Sequence, residues 1–276
     1  MTIAHAPGHG IGWDTVLPVG ALTILALAYL VLAWRGRRDA RGWSRRRTAS
    51  FLAGVGLLVL ALTPQLSPFQ EESFTSHMYR HLLIGMYAPL GLVLGAPVTL
   101  LLRSVPQRYG RVIGRLLAST ALGVLAHPVT ALVLNLGGLY LLYATTGLYV
   151  LTMEHPALHH LVQVHVLASG YLFAFSIAGP DPAPHRPSVP SRLVVLGIAI
   201  TGHAVLAQLL YAGVLLPAPV TGDDLRAGAD LMYYGGDIAE LLLAFALVGT
   251  WRPGRRTAPR RRTAAVEQRS SEAVKQ

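Results

Sequence analysis

Eleven histidines and no cysteine stand in a chain of 276 residues of which only 13% are charged. Metal, haem or proton chemistry would therefore fall to imidazole. Seven of the eleven lie inside or at the ends of long apolar runs: His77, His81, His155, His159, His160, His165 and His203. His127 and His185 fall in connections, and His5 and His9 in a polar N-terminal arm. Imidazole is costly in hydrocarbon and turns toward a bundle interior or a wet cavity. His77 and His81, four residues apart, share one helical face about one turn apart, and His159 and Gln163 repeat that spacing. His165 is six residues past His159, roughly 120° round the helix, so the two cannot point along one line. At about 1.5 Å per residue, His81 lies roughly 6 Å and His165 roughly 14 Å below the start of its run, with His203 near mid-membrane. A lone intramembrane histidine is more often a helix-packing group than a ligand. The repetition on three helices favours a metal or cofactor pathway, a ladder descending from one surface.

Other side chains could assist. Met78, Met86, Met153 and Met232 fall near the same surface; each serves packing in the simpler reading, and each is also a soft copper donor. The last apolar run opens with Asp230, Asp237 and Glu240. Carboxylates are expensive in lipid, so Asp237 and Glu240 are expected to face the bundle. There they would either anchor the helix on histidines or Arg80, or orient metal-bound imidazoles.

Positioning these groups requires helices that cross a bilayer. The hydrophobic share is 53% and mean hydropathy +0.47, with charges at about half the fraction of a soluble domain. Seven runs of about 20 apolar residues are expected to span: Leu17–Trp34, Thr48–Leu66, His77–Leu102, Pro128–Val150, Pro156–Ala178, Leu193–Leu215 and Ala229–Trp251. The fold class is thus an all-α polytopic bundle of seven helices over residues 17–251. An extracytoplasmic arm (1–16) precedes it, and a basic, disordered cytoplasmic tail (252–276) follows. Pro89 and Pro97 should kink the third span, and Gly91 and Gly95 present a small-residue packing surface. Four arginines, Arg103 to Arg115, follow on a partly apolar stretch that could lie along the membrane surface.

Basic residues orient the bundle. Twenty-one of the 23 fall after spans one, three, five and seven, leaving only Arg80 and Arg226 elsewhere. This places the N-terminus outside and the tail in the cytoplasm. The net charge of +10 therefore reflects topology and not a nucleic-acid partner. No Lys or Arg precedes the first run, so no cleavable signal peptide is expected. The only lysine is Lys275, which excludes a retinal Schiff base within any span.

Ser76-His77-Met78-Tyr79-Arg80-His81-Leu82-Leu83, with Ala88-Pro89 and Leu94-Gly95-Ala96-Pro97-Val98-Thr99-Leu100, resembles the third span of the multi-spanning CtaG family of bacterial cytochrome c oxidase assembly factors. His159 to His165 with Gly170-Tyr171-Leu172-Phe173 and Gly179-Pro180-Asp181-Pro182 is similar to the family's fifth span, as are Gly202-His203-Ala204 and Leu231-Met232 to later ones. The resemblance covers roughly 69–250. It implies a role in maturing haem-copper oxidase by helping copper reach the active site. It implies metal ligands at His77, His81, His159, His165 and His203, with Met78, Asp230, Asp237 and Glu240 as auxiliary groups. Gln163 stands where the family is expected to carry a further histidine, and Tyr233 near an expected Trp; a substituted ligand would weaken the site.

The expected protein is a multi-pass assembly factor of the bacterial cell membrane, not an enzyme. Its cofactor would be copper, and its partner a haem-copper oxidase subunit met within the lipid bilayer. Two rivals remain: a bis-histidine haem electron carrier, separated by its Soret band, and a copper or proton transporter, separated by vesicle uptake.

Overall fold

The computed structural model describes residues 13–38, 42–70, 73–144, 147–183, 186–215, 220 and 222–250. His5, His9, Glu71, Glu72, His185 and the basic tail lie outside them. Among the described residues the chain is helical, without strands. In order come α1 (Trp13–Arg38), α2 (Arg45–Leu62), α3 (Phe74–Leu82), a π segment (Leu83–Tyr87), α4 (Ala88–Leu94), α5 (Pro97–Ser104) and α6 (Gln107–Leu117). They are followed by α7 (Thr120–Leu125), α8 (Pro128–Ala144), α9 (Leu148–Glu154), α10 (Pro156–Ala178), α11 (Val189–Tyr211) and α12 (Gly222–Thr250).

Five helical segments are long and apolar enough to cross a membrane: Thr15–Arg38, Phe74–Ser104, Pro156–Ala178, Val189–Tyr211 and Gly222–Gly249. The pair α8 and α9 makes a sixth if counted as one span, although its two parts are bent by 83°. The expectation of seven spans thus meets five or six, and two places account for the difference. In α2, 18 residues begin with Arg45-Arg46-Arg47; the remaining apolar length is about 22 Å, short of a hydrocarbon core of about 30 Å. The expected fourth span stops as a straight helix at Ala144, and Gly147, in the left-handed region at φ 99°, starts α9 in a new direction.

The third span is irregular at both of its prolines. Pro89 lacks the N–H that would reach back to Gly85, and the chain widens into the π segment just before it. At Ala96 the backbone turns left-handed, φ 51°, and Pro97 opens α5. The Asp181 carboxylate, 2% exposed, accepts from Val98 N (3.1 Å) and Thr99 N (2.7 Å) and from the Thr99 hydroxyl. It thereby satisfies the orphan donors of that break. Nearby, Arg186 donates to the carbonyls of Gly179 and Asp181. Burial, then repulsion from Arg192, pushes its guanidinium below the ordinary value, against the opposing pull of Asp181. At the opposite end of the span, the Asp224 carboxylate accepts from Phe74 N (2.7 Å), Thr75 N (3.1 Å) and Thr75 Oγ1 (2.7 Å). The starts of α3 and α12 therefore share one end of the bundle.

Small residues allow close crossings. A Cβ on Gly91 would lie 2.9 Å from Gly54, and one on Gly95 would lie 2.7 Å from Phe51. The Gly91/Gly95 surface thus packs against α2, where Ser50 Oγ donates to Gly91 O at 2.9 Å. Tyr29 of α1 stacks on Phe51 at 3.8 Å and donates to Gly95 O at 2.7 Å.

Candidate functional site

Two small chambers adjoin inside the bundle. The outer one, about 40 Å³, is lined by His77, Arg80 and His81 of α3, Thr152 of α9, and His159 and Gln163 of α10, among others. The inner one, about 50 Å³, is lined by His81, His165 and Ser169, Asn135 of α8, His203 of α11 and Glu240 of α12 within an otherwise mainly apolar wall. His81 and Val166 belong to both. His81 is thus the histidine shared by two adjoining spaces, one lined also by His77 and His159 and the other by His165 and His203. His81 is within electrostatic reach of both His77 and His203.

The five histidines differ in what already binds them. His77 Nε2 lies 2.9 Å from the Tyr143 hydroxyl, which in turn points at Met78 Sδ at 4.0 Å. His77 and Tyr143 thus hold one another through Nε2 and the phenol oxygen. His77 is also clasped edge-on by Tyr149 at 5.1 Å. His159 Nε2 faces the Gln163 amide nitrogen at 2.9 Å, so Gln163 donates to the lone pair that a metal would take. His165 is exposed, and its Nε2 donates to Leu134 O at 3.1 Å. Its ring fits against Gly138, where a Cβ would lie 2.5 Å from Nε2. By contrast, His81 Nε2, both nitrogens of His203 and Glu240 Oε2 are buried with no hydrogen-bond partner among the described residues. His203 is held by α12, because Gly236 leaves room for its ring; a Cβ there would lie 2.1 Å from Cε1.

The auxiliary residues divide too. Glu240 lines the inner chamber. Asp237 is half-buried within reach of Glu240 and lines neither chamber. Asp230 is exposed and belongs to a separate groove with Gln208, Tyr211, Tyr233 and Tyr234. Met78 is fully buried in the core packed around Phe74 and Tyr143, outside both chambers, whereas Met86 lines the inner one. Asn135 and Tyr143 were missed in the sequence. Asn135 carried a readable signal, an amide in the middle of an apolar helix. Tyr143 could not be read, because its role depends on facing His77. Among the described residues, no group of three His, Asp or Glu side chains is spaced to hold one metal ion.

Tyr143 offers a direct check of the outer chamber. Tyr143→Phe leaves His77 Nε2 buried without its partner, and is expected to cost about 1–2 kcal/mol of stability, read from thermal unfolding in detergent. No change would mean that the hydroxyl does not hold His77.

A bundle of apolar helices enclosing buried imidazoles and a carboxylate defines a polytopic membrane protein with an intramembrane polar site. The chain belongs to the cytochrome c oxidase caa3 assembly factor family, Caa3_CtaG, whose model matches residues 27–253. It is similar to uncharacterised proteins of Mycobacterium bovis and Mycobacterium tuberculosis, each 31% identical over 258 residues, 86% of this chain and 39% of the relative. An uncharacterised protein of Mycobacterium leprae is 30% identical over 261 residues, 87% of this chain and 39% of its own length. The chain thus spans about two-fifths of the length of these curated relatives. No solved structure matches it.

Proposed function

We propose that this protein assists copper delivery to the active site of a haem-copper oxidase, acting as an assembly factor and not as a catalyst, in the bacterial cell membrane. Family membership supports the oxidase link. The observation that carries the copper reading is His81, which joins two histidine-lined chambers with its Nε2 unpartnered. Copper is well served by imidazole nitrogen, and no thiolate competes in a chain without cysteine. Charge favours the inner chamber as the resting place. Arg80 lines the outer chamber and would repel a cation, whereas Glu240 lines the inner one and would neutralise it. His81 and His203 are then the ligands, with Glu240 as counter-charge, and His77 and His159 line the approach. Monovalent copper, a closed-shell ion without strong geometric demands, suits two nitrogens.

The charge pattern supports seven crossings with the N-terminus outside, which would open the outer chamber toward the extracytoplasmic face. The haem reading is less well supported, since chambers of about 50 and 40 Å³ are far below the ~300 Å³ at which ligand pockets begin.

The test is metal analysis of purified wild type beside His77→Ala/His81→Ala and His81→Ala/His203→Ala, paired with oxidase activity in complemented cells. Copper affinity is expected to fall about tenfold or more in the second variant, with oxidase activity falling in both. Unchanged copper stoichiometry with normal oxidase would refute the proposal.

A further inference from the structure

None of the 23 residues that join the third span to α8 (105–127) is buried. Neither α6 nor α7 contains a buried residue, and α6 makes its principal contacts with α5 and α7 alone. An isolated helix of 11 residues is marginal in water, so α6 needs a surface outside the protein.

Its side chains specify that surface. At 100° per residue, Arg108, Arg111 and Arg115 fall within about 60° of one another, while Tyr109, Val112, Ile113 and Leu116 form a stripe centred about 120° away. On that stripe Tyr109 is 51%, Val112 52% and Leu116 69% exposed. No Asp or Glu occurs anywhere from Ser73 to Met153, so the arginines have no acidic neighbour in their stretch of chain. Arg103, just before them, donates to Gly42 O and lies over the Trp43 ring, which ties this face to the arginine-rich start of α2.

We propose that α6 lies in the plane of the membrane on an anionic phospholipid leaflet. The apolar stripe sinks into the headgroup–acyl boundary, and Arg108, Arg111 and Arg115 grip lipid phosphates. An amphipathic helix with basic residues along its polar face adopts this pose, long arginine stems reach headgroups while covering apolar surface, and the guanidinium fork matches phosphate oxygens. The anchor would hold the α5–α8 connection at the membrane surface without bearing on either chamber.

The absence of native cysteine makes the test clean. Full-length protein carrying Leu116→Cys, spin-labelled, is placed in nanodiscs of phosphatidylcholine alone or mixed with phosphatidylglycerol. In the mixed discs the label should be accessible to oxygen and shielded from a water-soluble nickel relaxant, whereas a label at Arg111→Cys should show the reverse. Native mass spectrometry should find phosphatidylglycerol retained over phosphatidylcholine. Each Arg→Gln change at 108, 111 or 115 should lower that preference about fivefold. The inference is overturned if Leu116 stays open to the nickel relaxant in both discs, or if the triple Gln variant keeps the lipid preference. It is equally overturned if shielding appears only when oxidase subunits are added, since a protein partner would then cover the stripe. The helix variants all concern exposed residues, and none of the readouts involves copper or oxidase activity.

Discussion

Gly170→Ala is expected to destabilise the protein by about 3 kcal/mol or more, the upper range for inserting a methyl where nothing can move. A Cβ at this position would lie 2.0 Å from the Gly85 carbonyl oxygen and 2.9 Å from its carbon. The obstacle is backbone, not the end of a flexible side chain. Gly85 belongs to the π segment, and its carbonyl is the one that an N–H at position 89 would reach if residue 89 were not proline. That carbonyl instead abuts the Gly170 Cα, a contact of the weak Cα–H···O kind found at close helix crossings. The damage should extend to the site, because Val166 and Ser169 of the same helix line the chambers and Gly85 itself backs the His81 ring. Thermal unfolding in detergent measures the loss. Gly197→Ala is the control, since nothing lies within 4 Å of a Cβ there, and it should be neutral to slightly stabilising. Equal behaviour of the two variants would show that α10 and the π segment are not locked at Gly170.

Asp181→Ala should cost about 3 kcal/mol, more than an ordinary helix cap. Removing a cap costs about 0.5–2 kcal/mol, and hydrogen bonds to a charged group contribute about 1.5–3 kcal/mol each. Here one buried carboxylate receives two backbone donors and a hydroxyl from 82 and 83 residues away in sequence. Without it, Val98 N and Thr99 N at the left-handed turn of Ala96 lose their acceptors, and Arg186 loses its nearby negative charge. Asp181→Asn keeps an acceptor and removes the charge, so it should fall between wild type and alanine. The order wild type, Asn, Ala in unfolding temperature checks the argument; Asn as damaging as Ala would show that charge alone matters.

Some of this was legible in the chain because it is periodic and local. Pro156 to Ala178 reads as one uninterrupted helix, since proline opens it, apolar residues fill it and Gly179-Pro180 ends it. The packing stripe at Gly91 and Gly95 was equally readable, because small residues four apart must lie on one face. The α2 and α8 segments fall short of a single straight span for local reasons that hydropathy averages away: three arginines open the first, and the second changes direction before α9. The Gly95-Ala96-Pro97 and Gly179-Pro180-Asp181-Pro182 motifs could each be seen, but not that the carboxylate of the second closes the first.

The eleven histidines mark the same division. Composition alone determined that imidazole would carry any metal chemistry, that the chain lies in a membrane, and that seven histidines share its apolar runs. Periodicity fixed which of them could share a face of one helix. Only tertiary structure decided which share a space, because that depends on how α3, α10, α11 and α12 cross. It divided them into His77 and His165, each already hydrogen-bonded, His159, tied to Gln163, and His81 and His203, of which His81 Nε2 and both nitrogens of His203 are buried without a partner among the described residues, in the chamber that Glu240 also lines. Helical spacing says which way a side chain leaves its own axis; what it meets there is set by a neighbour tens of residues away.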